Sequence, residues 1–375
     1  MLKTPPLQHQ LEVATLKSLK YLEILRPAAN SRPKLAVWLD ALAEMPELKT
    51  LTLNRASPKA PYLPLDVERT VTLPSLTHFN ILASLKDCVL TLAHLDLPAL
   101  TQLTLEANSY LLPNSDDVQE LLPYVARYAH GTQHTQPLQS MLIRDNRKYV
   151  DLLAWPVPDI GLVVQNPPIL LGAKLPTRLV LSFRCDGISD SYDSHLELLE
   201  WLIMGLPLDG IVTLASQDLR SRTRGERDLD LPMKQFWLHI SPTFPQLRHV
   251  RLSPPTADGF IEMLLEDSER PLLPSLTELV MLDANDLRHI PLRDAPVKRV
   301  EQGVPLEVLD LRMCFPGHNQ RDYKAQLRPL SEVVVDVQGP ESDEAYDHMR
   351  SLWKPVPLDI FLDDDDRDNS RLYSG

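Results

Sequence analysis

The sequence predicts a mixed α/β protein in which short parallel strands alternate with helices, and three observations lead to this prediction. One phrase of apolar residues recurs along the chain, with clear copies spaced 24 to 30 residues apart on either side of an irregular middle. Each copy contains a pair of apolar residues two positions apart, the pattern of a strand with one buried face. Several intervals between copies carry the apolar stripe of a helix, as Trp38, Leu39 and Leu42 do.

The repeated phrase has an apolar residue, two variable residues, a second apolar residue, one variable residue and a third apolar residue. The clear copies start at Leu19, Leu48, Leu76, Leu100, Leu247, Leu276, Leu306 and Leu330. Weaker copies start at Leu138, Pro176 and Leu208. This spacing is typical of leucine-rich repeats in which each strand returns through a helix. We therefore predict an α/β leucine-rich-repeat solenoid, a ribonuclease-inhibitor-like horseshoe with parallel strands on the concave face and helices or irregular turns on the convex face.

The extent of the pattern sets the predicted domains. Residues 1–15 form an N-terminal tail, residues 16–360 form the solenoid and residues 361–375 form an acidic tail. Within the solenoid, the section 145–230 is irregular. Its first part is rich in proline and apolar residues, so we interpret it as an enlarged or degenerate repeat rather than as a solvated linker. The acidic tail has a run of like charges that should keep it disordered.

Composition excludes several classes of protein. The net charge is −13, from 38 basic and 51 acidic residues, which makes a general nucleic-acid binder a poor interpretation. No apolar stretch is long and uninterrupted enough for a membrane helix. Cys88, Cys185 and Cys314 are too far apart to form a disulfide framework or a zinc motif, and the first residues show no secretory signal. We predict an intracellular protein, cytoplasmic or nuclear, that binds neither nucleic acid nor membrane.

No motif in the sequence predicts catalysis, a cofactor or a metal. Phosphate-binding glycine loops, nucleophile elbows and zinc helices are missing from the sequence. His130 and His134 have a metal-like spacing, but Gly131 lies between them and favours a helix C-terminus. Cys314 fits a buried turn position better than a reactive thiol. We therefore predict a protein that is not an enzyme and holds no cofactor.

The outward strand residues form the predicted binding face, because curved repeat faces are the usual binding surfaces of such proteins. Our first choice within it is the group His249, Arg251, Asp310 and Arg312. The group combines both signs of charge with the arginine fork that anchors interfaces. An ordinary solvated sheet face is the alternative. We interpret the arginine-rich stretch at residues 220–227 as a surface loop, although an acidic partner could use it.

Parts of the second half resemble a known family. These are residues 273–279 (Leu-Pro-Ser-Leu-Thr-Glu-Leu), residues 297–314 and the valine-rich stretch 331–337 with the acidic tail after it. They resemble the leucine-rich portion of the F-box-like proteins of mushroom-forming (basidiomycete) fungi. The resemblance implies a substrate receptor of a Skp1–cullin ubiquitin ligase. Nothing in the first 18 residues resembles the F-box, so Skp1 binding is expected only if an F-box is encoded upstream.

The predicted function is therefore the substrate-recognition part of an F-box-like receptor, a non-enzymatic scaffold for a protein target whose identity is unknown. One alternative is an enzyme or regulator with a cryptic site in the irregular centre. Another is a truncated gene product without independent activity. We also expect an exposed apolar edge at residues 16–25, where the repeats begin.

Overall fold

The computed structural model describes most of the repeated part of the chain. The described residues are 16–25, 34–58, 69–109, 115–130, 136–145, 149–158, 178–185, 192–218, 230–253, 256–282, 292, 294–313 and 330–338. The predicted tails, residues 1–15 and 361–375, and the stretch 220–227 lie outside them.

The strands follow one another at repeat-like intervals. In chain order they are β1 (Tyr21–Leu25), β2 (Thr50–Asn54), β3 (Val71–Thr72), β4 (His78–Ala83), β5 (Leu95–Asp96), β6 (Gln102–Ser109), β7 (Ser140–Asp145), β8 (Tyr149–Trp155), β9 (Leu179–Cys185), β10 (Thr213–Asp218), β11 (His249–Leu252), β12 (Glu278–Leu282), β13 (Val308–Met313) and β14 (Asp336–Gln338). Each clear phrase except the last contains a strand, as predicted, and so do the weaker phrases at Leu138 and Pro176. The weak phrase at Leu208 was placed about three residues too early, because β10 begins only at its last position, Thr213.

Helices lie between many of the strands. They are α1 (Leu35–Ala43), α2 (Leu85–Ala93), α3 (Ser115–Ala129), α4 (Tyr192–Gly205), α5 (Asp230–Ile240), α6 (Thr256–Leu264) and α7 (Asp294–Glu301). The predicted stripe of α1 is confirmed, since Trp38, Leu39 and Leu42 are all buried.

A large, mostly parallel sheet organises the fold. Its twelve strands have the order β1-β2-β4-β6-β9-β8-β7-β10-β11-β12-β13-β14, while β3 and β5 form a separate pair. In the large sheet β8 runs antiparallel to both of its neighbours, and the other pairs are parallel. The predicted mixed α/β class with a parallel sheet is confirmed, and the sheet is not closed.

A tight turn precedes many of the strands and explains the recurring proline. The backbone N–H of Leu48 donates to the carbonyl of Met45 at 3.1 Å, and Leu247 donates to Phe244 at 3.2 Å. Each bond spans three residues, as in a β-turn. Pro46 and Pro245 occupy the second position of these turns, where the fixed φ of proline costs nothing. The proline therefore turns the chain, and the leucine that follows enters the core.

Successive turns are joined by a repeated hydrogen-bond pattern. The carbonyl of Lys20 accepts from the N–H groups of Lys49 and Thr50, at 2.8 and 3.0 Å. Far along the chain, the carbonyl of Arg248 accepts from Thr277 and Glu278, both at 2.9 Å. Both ends of the sheet are thus built from the same stacked unit.

The main core lies between the sheet and the helices. The inward pair of β2, Leu51 and Leu53, is 0% and 1% exposed. A buried arginine also serves this core. Arg299 of α7 donates to the carbonyls of Leu272, Leu273 and Leu276 at 3.0, 3.1 and 3.0 Å. It thereby fixes the turn before β12, and burial lowers its pKa to about 10.

The centre of the sheet departs from the parallel pairing of the other strands. β7 and β8 form an antiparallel hairpin in which Asp145 pairs with Val150, and β9 rather than β7 lies beside β6. Only residues 146–148 separate the two strands, too few for the crossover that a parallel pair needs. Nearly every residue of β7 and β8 is buried. Strands buried on both faces lose the alternation by which sequence reasoning recognises them.

The last copy of the repeated phrase was predicted about four residues too early in the chain. Leu330–Glu332, predicted to begin a strand, forms a 3₁₀ turn, and the strand is β14. In the clear phrases the first apolar residue lies two positions before the strand, as Leu306 does before β13. Before β14 this position is taken by Val334, which is buried, and not by Leu330. The run Val333-Val334-Val335 fits either register by hydrophobicity, so the sequence pattern could not choose between them.

Candidate functional site

The candidate site lies on the face of the sheet that points away from the main core, which we call the outer face. Alternation along each strand sends every second side chain to this face. On β11 these are His249 and Arg251, and cross-strand pairing places Thr213 and Glu278 beside His249. The predicted residues of β11 therefore do share one face with the acidic residue of β12.

The side chains of His249 and Glu278 form a hydrogen bond across β11 and β12. His249 Nδ1 lies 3.0 Å from Glu278 Oε2, and the two side chains are 37% and 26% exposed. Exposed pairs of this kind contribute little to folding stability. The pair therefore adds little to the stability of the fold, and its main property is that it forms a polar surface accessible to solvent.

Arg251 is the most informative residue of the site. Its cross-strand neighbours are Ala215 and Val280, whose side chains have no hydrogen-bond acceptor. Within the described part of the chain its side chain makes no hydrogen bond or ion pair, and its Nε atom is buried. A buried donor without an acceptor is costly. The guanidinium of Arg251 is half-buried beside apolar residues, so an anionic group of a partner would supply the acceptor that it lacks.

The two other predicted residues are less available. Asp310 is opposite Val280 and Gln338 and is only 8% exposed. One strand separates it from Arg251, so their Cα atoms lie about 10 Å apart. The backbone of Arg312 belongs to β13, but its side chain lies outside the described residues. The structure therefore brings His249 and Arg251 together and places Asp310 beneath the surface.

The outer face is divided by a covered central region. Leu142, Leu153, Trp155 and Ala215 form a second buried apolar cluster, separate from the main core. The Thr213 hydroxyl donates to the carbonyl of Pro158, so the chain leaving β8 lies over β10. By contrast, the outer residues of the N-terminal strands are half-buried or exposed: Tyr21, Glu23, Thr50, Thr52, His78, Asn80, Gln102 and Thr104. The outer face is therefore open in its N-terminal part and covered at the centre.

A layer of buried charge crosses the covered region. Asp151 Oδ2 lies 3.1 Å from Arg144 Nη2, with side chains 1% and 8% exposed. Burial raises the pKa of Asp151 despite the nearby arginine. Burial and the negative charge of Asp151 also raise the pKa of Glu106, which lies two strands away. Repeat register assigns Glu106 to the outer face, but sequence reasoning missed Arg144 and Asp151 and could not place them near Glu106, because only the non-sequential strand order brings these groups together.

The irregular centre, which we named for a cryptic site, contains a second buried polar pair. His195 of α4 lies with Nδ1 2.8 Å from Asp145 Oδ1, and their side chains are 7% and 9% exposed. Asp145 points to the core side of β7, whereas Arg144 points to the outer face. The two ion pairs therefore do not converge on one pocket. The His195–Asp145 pair joins the end of β7 to the first turn of α4.

Other candidate chemistry finds little support in the residues that can be described. Among them, no group of three or more His, Cys, Asp or Glu side chains could hold a metal ion. Cys88 is buried in α2, and burial raises the pKa of its thiol far above the usual range. His134, Cys314 and the side chain of Cys185 lie outside the described residues. No helix in the described ranges is long and apolar enough to cross a membrane.

Comparisons with known proteins add no relative. No protein-family model matches the sequence. A search of curated proteins returns no significant match.

Proposed function

We propose that the chain is a leucine-rich-repeat solenoid that acts as a non-enzymatic protein-binding scaffold. The recurring turn before the strands and the shared carbonyl between successive turns support a repeat architecture. The resemblance of residues 273–279 and 297–314 to F-box-like proteins supports a role as the substrate-recognition part of a ubiquitin-ligase receptor. Skp1 would join only through an F-box encoded upstream.

The observation that carries the binding proposal is the unpaired guanidinium of Arg251. Arginine anchors interfaces because its planar fork donates two parallel hydrogen bonds to a carboxylate. Arg251 is set on a strand, so little conformational entropy remains to be lost when a partner binds. Beside it, His249 and Glu278 supply polar groups of both signs at the rim. The partner would therefore present at least one acidic group to β11.

The test is a quantitative affinity pull-down with the tagged chain, followed by mass spectrometry. Arg251→Ala should reduce the capture of a specific partner at least ~10-fold, which corresponds to about 1.4 kcal/mol of binding free energy. Arg312→Ala should also weaken capture. Thr104→Ala, on the outer face of β6, is the matched control and should capture as the wild type does.

A fourth variant separates this surface from the arginine-rich loop. Replacing Arg220, Arg222, Arg224 and Arg227 together by alanine should leave capture unchanged. Loss of capture in the loop variant alone, with normal capture by Arg251→Ala, would contradict the proposed site.

A further inference from the structure

The stacked turns leave different backbone groups at the two edges of the large sheet. In the repeated pattern, the carbonyl before one strand accepts from the N–H groups that begin the next strand, as Lys20 accepts from Lys49 and Thr50. The pattern closes where the N–H of Asp336 donates to the carbonyl of Glu307 at 3.0 Å. Among the described residues, β1 has a neighbour only in β2, and β14 has one only in β13. The edge at β1 therefore offers donors, and the edge at β14 offers an acceptor.

These groups are the two halves of one contact. The N–H groups of Lys20 and Tyr21 have the place at the start of β1 that the donating N–H groups have at the start of β2. Val335 has the place before β14 that Lys20 has before β1, so its carbonyl corresponds to the acceptor. The side chain of Val335 is 89% exposed. A second copy of the chain, with its β1 beside β14 of the first, would repeat the hydrogen bonds that join the internal strands.

The side chains of the two edges also match. Continued from one copy to the next, the register of the sheet makes three opposed pairs: Tyr21 and Asp336, Leu22 and Val337, and Glu23 and Gln338. In the first and third pairs a hydroxyl or amide can donate to a carboxylate. One N–H of Gln338 already donates to Asp336 at 2.7 Å, and the amide has a second. In the middle pair two half-buried apolar side chains would cover each other.

Pairing of like edges matches less well. An antiparallel pair of β1 strands centred on Glu23 would set two like charges directly opposite each other, which is destabilising. Pairing β1 with β1, or β14 with β14, also leaves the N–H of Lys20 apart from the carbonyl of Val335. The backbone groups and the side chains therefore both favour contact between unlike edges.

We propose that copies of this chain associate head to tail, with β1 of one copy paired in parallel with β14 of the next. The contact is heterologous, so each added copy leaves one free edge of each kind and the association can be repeated. It does not depend on the proposed function. Where both hold, successive copies would present their outer faces side by side, and a partner with several acidic groups would bind them with higher avidity.

The test blocks one edge at a time in the full-length chain. Leu22→Lys places a charge on the core side of β1, and Val337→Lys does the same on β14. Inward-pointing charges are a device by which edge strands avoid pairing. Both residues are only half-buried, so each variant should fold, and circular dichroism melts check this. Thr104→Lys, on the outer face of β6, adds the same charge away from both edges and is the matched control.

Analytical ultracentrifugation over a range of concentrations measures the association. The wild type and the control should exceed twice the monomer mass as the concentration is raised. Each blocked variant alone should need a concentration at least ~10-fold higher to associate to the same extent. An equimolar mixture of Leu22→Lys and Val337→Lys should form a dimer and no larger species, because each variant supplies the edge that the other lacks.

Other results would overturn the proposal. Wild-type association by Val337→Lys alone would show that β1 pairs with β1, and the same result for Leu22→Lys would show that β14 pairs with β14. An equimolar mixture that associates no better than the separate variants would exclude contact between unlike edges. A wild-type chain that stays monomeric at every concentration would exclude any contact at these edges.

Discussion

At the scale of single residues, Arg299 shows how a buried charged side chain can hold a turn in place. Its guanidinium satisfies three carbonyls before β12 and is only 1% exposed. Arg299→Met should lower the free energy of unfolding by about 3 kcal/mol, since it leaves buried carbonyls without donors. Urea denaturation measures this, and Arg270→Met, at an exposed arginine, should cost less than about 0.5 kcal/mol. Equal losses in the two variants would show that Arg299 does not hold the turn.

The raised pKa of Glu106 predicts how the stability of the folded chain depends on pH. Burial and Asp151 raise its pKa in the folded chain, so folding favours its protonated form. The protonated Glu106 side chain therefore stabilises the fold fully when the pH is below about 4.3, the pKa of a glutamate in the unfolded chain. This stabilisation is lost as the pH rises through the higher pKa of Glu106 in the folded chain. Glu106→Gln should be more stable than the wild type at neutral pH, and the difference should shrink as the pH is lowered towards 4.

Thermal melts over that pH range test the prediction, with Glu23→Gln on the exposed strand β1 as the control. The control should shift the melting temperature little at any pH. A Glu106→Gln variant that is destabilised at neutral pH would mean that the carboxylate is a net stabilising partner of Arg184.

At the scale of elements, the two faces of a strand predict opposite mutational effects. Leu309 of β13 is 0% exposed, so Leu309→Ala should open a cavity and cost about 2–5 kcal/mol. Thr104 of β6 is half-buried on the outer face, and Thr104→Ala should cost under about 0.5 kcal/mol. Denaturant unfolding measures both, and similar losses at the two positions would show that the assignment of inner and outer faces is wrong.

The elements also show where sequence reasoning succeeds and where it stops. Strands such as β2 and β13 were predictable because one face is apolar and the other polar, and a proline turn or the leucine spacing marks their start. β8 was not predictable as an antiparallel strand, because its alternation is hidden by burial on both faces. The proximity of Asp151 to Glu106 was missed for a related reason: the two residues come near each other only because β9 and β8 follow β6 in the sheet, an order that the chain sequence does not contain.

The candidate site was partly predictable. Repeat register placed His249 and Arg251 on the outer face, since both lie at variable positions of a clear phrase. It could not show that Asp310 is covered or that Arg251 has no acceptor. Those facts depend on contacts between segments far apart in the chain, and no repeat pattern encodes them.

At the scale of the whole molecule, the sheet begins with an edge strand whose apolar residues are less covered than those of the strand beside it. The inward residues of β1, Leu22 and Ile24, are only half-buried, whereas those of β2 are fully buried. Tyr21 and Leu25 are 70% and 58% exposed. Exposed edges of this kind promote association unless another segment or partner pairs with them. The chain should therefore self-associate in a concentration-dependent manner.

Light scattering over a range of concentrations measures this association. Glu23→Lys, which changes only the charge at the edge, should alter the association, and Glu307→Lys, at an exposed residue beside β13, should not. A monomer at all concentrations, with residues 16–25 protected from hydrogen exchange, would show that the edge is already covered.

The central claim is that a partner binds the outer face at β11, and two histidines of the chain test it most directly. His249 lies on that face and pairs with Glu278 at 3.0 Å, while His239 lies on α5 and pairs with Glu200 at 3.1 Å. Both are solvent-accessible, so each should react with diethyl pyrocarbonate in the chain alone. With the captured partner bound, mass spectrometry should show His249 protected and His239 as reactive as before. Protection of His239 with full reactivity of His249 would contradict the claim and place the partner on the helical side.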